Sequence, residues 1–423
     1  MKRFTSISTV LVSVAEQFLE AFSETSNVIM YLFVGGPSAF TDDSNPPTPT
    51  NSTANIEFQP WRDAFGAKRI QTTDVVHVID RYDWTSNTVY DQYDDQDTNI
   101  LDDDFYVLTD DYNVYKCLWN NSGAGSTTKP TGTSTTPFDT ADGYKWKYMY
   151  TITTSDALKF LTNDYMSVRT DSTVASAANN GAIHVVTVTA GGSTYASAPT
   201  VSIVGDGTGA TATATVAAGA VTAVTITNTG SNYTTANVSF SGGGGSGAAA
   251  RAIISPKNGH GNNAIEELGG KFVMINVRLD GSEANTISTA NDFRKIALVR
   301  DPFEYGTTTR ATSTNYRQTI RLTVPAPNTN YVIDETVTVG SNTAVVVEWD
   351  SANKYLYVTR PTPQAFANAA SISGGTSGAT GTITAIANSG LEPYSGDVLY
   401  IENRSPISRA ADQIEDVKLV IEF

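Results

Sequence analysis

The sequence predicts a mainly β protein: a multi-domain β-sandwich framework with few short helices and inserted small β modules. Three observations carry that expectation. Tyr144, Trp146, Tyr148, Tyr150 and Ile152 alternate with Lys145, Lys147, Met149 and Thr151, the period of two of a half-buried strand. Residues 171–255 are built from Gly, Ala, Thr, Ser and Val with few charges, and they repeat internally. Helical periodicity, by contrast, is scarce.

The elements follow in chain order. Ser13-Val14-Ala15-Glu16 reads as a capping box, and Val14, Phe18 and Phe22 recur at helical spacing, so an amphipathic helix is expected over 13–24. Val28 to Val34 is an unbroken apolar run, fit for a strand buried on both faces and stopped by Gly35-Gly36-Pro37. Residues 41–53 are rich in Pro, Asn, Ser and Thr and read as a loop. A short helix is expected over 155–162. At the end, Val417, Leu419, Ile421 and Phe423 alternate with Lys418, Val420 and Glu422, a half-buried strand that closes a domain.

Two regions repeat. Val186-Thr187-Val188-Thr189, Gly191 and Tyr195 match Val224-Thr225-Ile226-Thr227, Gly230 and Tyr233 at an offset of about 38 residues, a period of one supersecondary unit. Val337, Gly340 and Ala344 match Ile372, Gly375 and Ala379 at about 35. These are read as modules inserted into a framework. Residues 1–100 with 290–325 and 389–423 are assigned to a framework β-sandwich domain. Residues 101–170 with 256–289 form a second β-rich domain, 171–255 one inserted module and 326–388 another.

The chain has 423 residues and a formal net charge of −16, which argues against a nucleic-acid partner or an anionic membrane surface. No apolar run is long enough to span a membrane. The N-terminal Val10-Leu11-Val12 is too short for a signal peptide, so assembly in a cytoplasm is expected. The single Cys117 sits among large apolar residues and reads as a small core hydrophobe.

No catalytic, cofactor-binding or metal-ligating constellation emerges. The histidines, His77, His184 and His260, lack partners at zinc-ligand spacing, and His184 is expected to be exposed or satisfied. The glycine runs at 205–209 and 242–247 lack the Lys and helix of a phosphate loop. Asp95-Gln96-Asp97-Thr98-Asn99 begins like a calcium loop, but Ile100 stands where its Gly is needed. The acidic stretch 91–104 therefore reads as a solvated loop, suited to meeting Lys and Arg of a partner.

Several separated motifs occur in a fixed order: Arg81-Tyr82-Asp83-Trp84; Val114-Tyr115-Lys116-Cys117-Leu118; Asp142-Gly143-Tyr144-Lys145-Trp146-Lys147-Tyr148; Phe293-Arg294-Lys295-Ile296 before Asp301-Pro302; Glu402-Asn403-Arg404-Ser405-Pro406-Ile407; and Asp412-Gln413. Together they resemble the baseplate wedge family of T-even-type phages with contractile tails. The resemblance covers about two-thirds of the chain and leaves out both repeat regions. It implies a structural virion protein and no enzyme, located in the tail baseplate, dimeric, and bound to other wedge proteins. A carbohydrate-binding adhesin of the tail, meeting host-surface glycan through the inserts, is the alternative. The Arg404 guanidinium, placed beside a turn at Pro406, suits clamping carboxylates or carbonyls, or a local salt bridge to Glu402 or Asp412. Asp83 is expected to fix a turn beside Trp84.

Overall fold

A computed structural model describes residues 8–22 and 28–423. The protein is mainly β, with antiparallel sheets and only short helices among the described residues. Its described residues divide into two compact units, one of 8–16, 76–274 and 420–423, the other of 17–22, 28–75 and 275–419.

The helix expected over 13–24 is Ser8–Glu20, and residues 23–24 lie outside the described residues. Ser13 therefore lies inside the helix and is no capping box. Nothing in Ser8 to Val12 breaks a helix, so it starts earlier. Among its described side chains Val12 and Ala15 are buried, and Val14 is 42% exposed. The short helix expected over 155–162 is Thr154–Phe160, capped by Thr153, whose side chain accepts from the Asp156 amide.

In the first unit, a four-stranded sheet runs in the order Tyr106–Leu108, Asn113–Trp119, Lys145–Thr151, Phe138–Asp139. The aromatic strand Lys145–Thr151 is buried on both faces, which corrects the half-buried expectation: Lys147 and Met149 are as enclosed as Trp146. A bulge also splits the stripe. Val114 faces Tyr150 but Tyr115 faces Tyr148, so Met149 is an extra residue. One extra residue changes which side chains share a face. Tyr144, Trp146 and Tyr148 accordingly join a core with Tyr90, Tyr115 and Cys117. Met149, Tyr150 and Ile152 join another with Phe105, Tyr106 and Leu108.

The first repeat region folds into a six-stranded sheet, ordered Ala236–Ser241, Thr200–Gly205, Thr208–Ala217, Ala220–Ser231, Ile183–Ser193, Ser246–Ile254. Its register obeys an internal two-fold. Val186 and Val224, equivalent in the two repeats, face each other. The bulges at Thr211/Ala212 and Thr215/Val216 recur about 38 residues on, at Ala249/Ala250 and Ile253/Ile254. Side chains along 208–217 alternate exposed and half-buried, Thr outward and Ala inward, so the core is thin. Two tyrosines reinforce it reciprocally. A Cβ on Gly207 would fall 2.4 Å from the Tyr233 ring, and a Cβ on Gly245 would fall 2.4 Å from the Tyr195 ring. Each repeat thus supplies the bare backbone on which the other's tyrosine lies.

In the second unit, a five-stranded sheet runs Asn315–Arg317, Ala64–Arg69, Met30–Gly35, Phe293–Arg300, Asp397–Ile407. Met30–Gly35 is buried along its whole length, as its apolar run predicts. The second repeat region lies in a seven-stranded sheet, where Val337, Ala344, Ile372 and Ala379 are all core residues. At the chain end, Ile414–Glu422 buries Val417 and Leu419, while Val420 is 37% exposed.

The reciprocal tyrosine contact makes a prediction. Tyr233→Ala should cost about 3–5 kcal/mol, the usual cost of emptying a buried aromatic site, and Gly245→Val should destabilise by forcing the Tyr195 ring off its seat. Denaturant unfolding followed by circular dichroism checks both.

Candidate functional site

In the first unit the structure brings two sequence motifs together. Arg81 forms a two-pronged pair with Asp83 at 2.9 Å on each arm and donates to the Thr162 carbonyl at 2.7 Å. Asp83 thus fixes the chain beside Trp84. The Trp84 indole N–H donates to Ser126 Oγ at 3.1 Å, and that hydroxyl donates to Asp142 Oδ2 at 3.0 Å. Asp142 is the hub. It also accepts from the Thr127, Thr128 and Tyr144 amides and from Thr140 Oγ1. Burial pushes its carboxyl up, but these hydrogen bonds outweigh burial and hold it down at about 2. Gly143 follows with φ of +83°, where a Cβ would also crowd the Asn121 side chain. Tyr144 then stacks on Trp146, ring centroids 5.4 Å apart, and Tyr148 bonds to Thr151 through its hydroxyl at 2.6 Å.

The second unit gathers the later motifs. Phe293 is fully buried and opposite Ile407, and Ile296 is opposite Glu402. Arg294 grips Asp43 with two nitrogens, at 3.0 and 2.9 Å, and gives a third donor to the Pro37 carbonyl at 2.7 Å. Asn403 donates to the Pro47 carbonyl at 2.7 Å. Both residues therefore pin the 37–50 loop. Arg404 pairs with Glu402 at 2.9 and 3.2 Å, the local salt bridge rather than a clamp. Pro406 marks no turn. It lies in the strand Asp397–Ile407, at a sheet edge where its missing N–H costs no ladder bond. Asp412 is exposed, and Gln413 closes a turn with Ala410 and accepts from the Gly281 amide at 2.9 Å.

Cys117 is a buried core residue whose thiol is pushed far up by burial. The acidic stretch 91–104 meets basic charge within its own chain: Arg251 of the repeat sheet pairs with Asp94 and, at 2.8 Å, with Asp95. That neutralises part of the would-be calcium loop. Among the described residues, no group of three or more His, Cys, Asp or Glu side chains could hold a metal ion.

Sequence reasoning missed a buried charge cluster in the first unit. Lys116 and Lys147 face each other directly across two strands, and both are enclosed. Like charges so placed repel. Glu267 offsets one of them: its Oε2 accepts from Lys116 Nζ at 3.1 Å and its Oε1 from the Gly261 amide at 2.6 Å. Lys116 Nζ also lies 3.9 Å from the centre of the Tyr93 ring. The His260 ring is 5.7 Å from that of His184, which is half-buried rather than exposed. Burial, aided by Lys145 and Lys147, brings His184 down to about 4, and burial with Lys116 brings His260 down to about 3. Burial likewise lowers Lys147 to about 8, with Glu267 opposing. The available signal was a lysine inside each of two apolar runs, Val114 to Leu118 and Trp146 to Met149.

No family model matches this chain, and no curated protein matches its sequence.

Two predictions follow from the site. Asp142→Asn points an amide at two backbone donors and should cost about 2–3 kcal/mol by chemical denaturation, the scale of hydrogen bonds to a charged group. Separately, His184 titrates at about 4 when folded against 6.5 ordinarily. The unfolded chain therefore binds the proton first, and His184 should contribute a fall in stability on the order of 3 kcal/mol as pH drops from 6.5 to 4, with His260, also lowered, adding to the same limb. His184→Asn should make that limb shallower in pH-dependent unfolding without abolishing it.

Proposed function

We propose that this chain is a structural subunit of a phage tail baseplate wedge, acting as a dimer that bridges other wedge components rather than as an enzyme. One observation carries the reading: the motif residues spend their polar atoms on the chain itself. Arg81, Asp142, Arg294 and Asn403 all bind loop backbone, and Arg404 binds its strand neighbour. A catalytic set would converge on a cleft with groups left free for substrate. A scaffold subunit needs its long loops held in shape for neighbours to read.

The face offered to a second copy is the edge strand Asp397–Ile407. Leu399 and Tyr400 stand exposed on it. Beside it a groove of about 430 Å³ is lined by Pro46 to Asn51 and by Tyr400 to Asn403. Its outer edge pairs with no strand among the described residues, and a strand edge with exposed apolar side chains is a ready template for pairing with another chain.

The purified protein should run as a dimer in light scattering and form a defined complex when mixed with other wedge components of the same phage. Leu399→Lys with Tyr400→Lys should yield a monomer of unchanged thermal stability. A wild-type monomer that stays apart from every wedge component would overturn the reading.

A further inference from the structure

The buried charge cluster of the first unit is unbalanced, and its unbalanced side lines a cavity. Two enclosed lysines stand against one enclosed carboxylate. Glu267 already uses both oxygens, on Lys116 and on the Gly261 amide. Lys147 enters no ion pair among the described residues, and its one acceptor is the Thr135 carbonyl. An ammonium carries three donors. His260 is 5% exposed, and its Nδ1 has no hydrogen-bond partner, lying 3.8 Å from Glu267 Oε2.

A cavity of about 370 Å³ meets these groups, lined by Thr135, Thr136, Lys147, His184, Thr229 and His260. That is the size of a small-molecule site. A neighbouring cavity of about 390 Å³ shares His184, but its lysine, Lys145, is already paired with Asp139 at 2.6 Å. The first cavity is the one with an uncompensated cation in its lining.

We infer that this cavity binds the oxyanion group, carboxylate or phosphate, of a small molecule. Lys147 supplies the counter-charge, and His184 supplies a further ring N–H contact. An anion there restores the balance that two facing lysines and one glutamate lack. Since burial brings Lys147 down to about 8, binding weakens as pH rises through that value, because the ammonium is lost. Lys116, Lys145, Glu267, His184 and His260 are the other charged or titratable groups around it, and both histidines are neutral in this range. The site is independent of the wedge reading and would stand if that reading failed.

The test is calorimetry and thermal shift on the full chain at constant ionic strength. The probes are inorganic phosphate, glucuronate and glucose 6-phosphate, with glucose as the neutral control. The expected result is saturable binding of at least one anion and none of glucose. Phosphate alone binding identifies the free ion, and glucuronate binding identifies a carboxylate. Lys147→Met should weaken binding at least tenfold, about 1.4 kcal/mol, without lowering the melting temperature, since exchanging a buried charge for an apolar isostere is commonly tolerated. Should that variant fail to fold, His184→Gln should still weaken binding, and Lys145→Met should leave it intact. Absence of saturable binding at millimolar concentration, or binding unaltered in the Lys147 or His184 variant, would overturn the proposal.

Discussion

The structure depends on side chains that take the place of missing backbone partners. A mainly β chain with long connections must satisfy many loop amides that no strand reaches. Asp142 does so for Thr127, Thr128 and Tyr144. Glu335 does so for Val332, Thr376 and Ser377 in the second repeat region. Asp206 does so for Thr234 and Thr235 in the first. Arg294 and Asn403 work in the opposite sense, donating to the carbonyls of Pro37 and Pro47. A carboxylate accepting several amide donors is held ionised, which is why Asp142, Glu335 and Asp206 all titrate below their ordinary range despite any burial.

The repeat sheet shows a second way of holding a thin β module together. Small side chains leave little apolar area to bury, so the module cannot rely on a thick core. It relies on duplication. Equivalent strands pair across a two-fold, the bulges recur at equivalent residues, and each tyrosine rests on glycines of the opposite repeat. The duplication is not complete. Asp206 clamps Thr234 and Thr235, but Gly244 stands at the equivalent position in the second repeat and offers no carboxylate. Arg251 ties the sheet to the acidic 91–104 stretch instead. The module is thus symmetric in its backbone and asymmetric in its attachments.

Much of the architecture was legible in the sequence. A period-two pattern located the aromatic strand, an unbroken apolar run the Met30–Gly35 strand, and internal self-similarity both repeats. Alternation failed where both faces are covered. Lys147 was read as solvent-facing since a charged residue opposite a tryptophan normally is. Nothing local indicates that Lys116 would face it, or that Glu267, about 150 residues from Lys116, would pair with that lysine. The Met149 bulge was equally hidden, because one extra residue in a strand leaves no mark on composition. The helix was legible as a helix, but its start and buried stripe were displaced because Ser13 and Glu16 satisfy a capping pattern without sitting at a terminus. Pairings such as Arg294 with Asp43 and Asn403 with Pro47 depend on contacts across hundreds of residues that no local pattern encodes.

Amide hydrogen exchange of the native protein tests the central claim most directly. Thr127, Thr128, Thr235 and Thr376 lie outside the strands, yet each gives its N–H to a carboxylate. If side-chain acceptors hold these loops as strands hold one another, the four amides exchange far more slowly than free coil and approach the rates of the Lys145–Thr151 strand. Exchange at free-coil rates, with that strand still protected, would contradict the account.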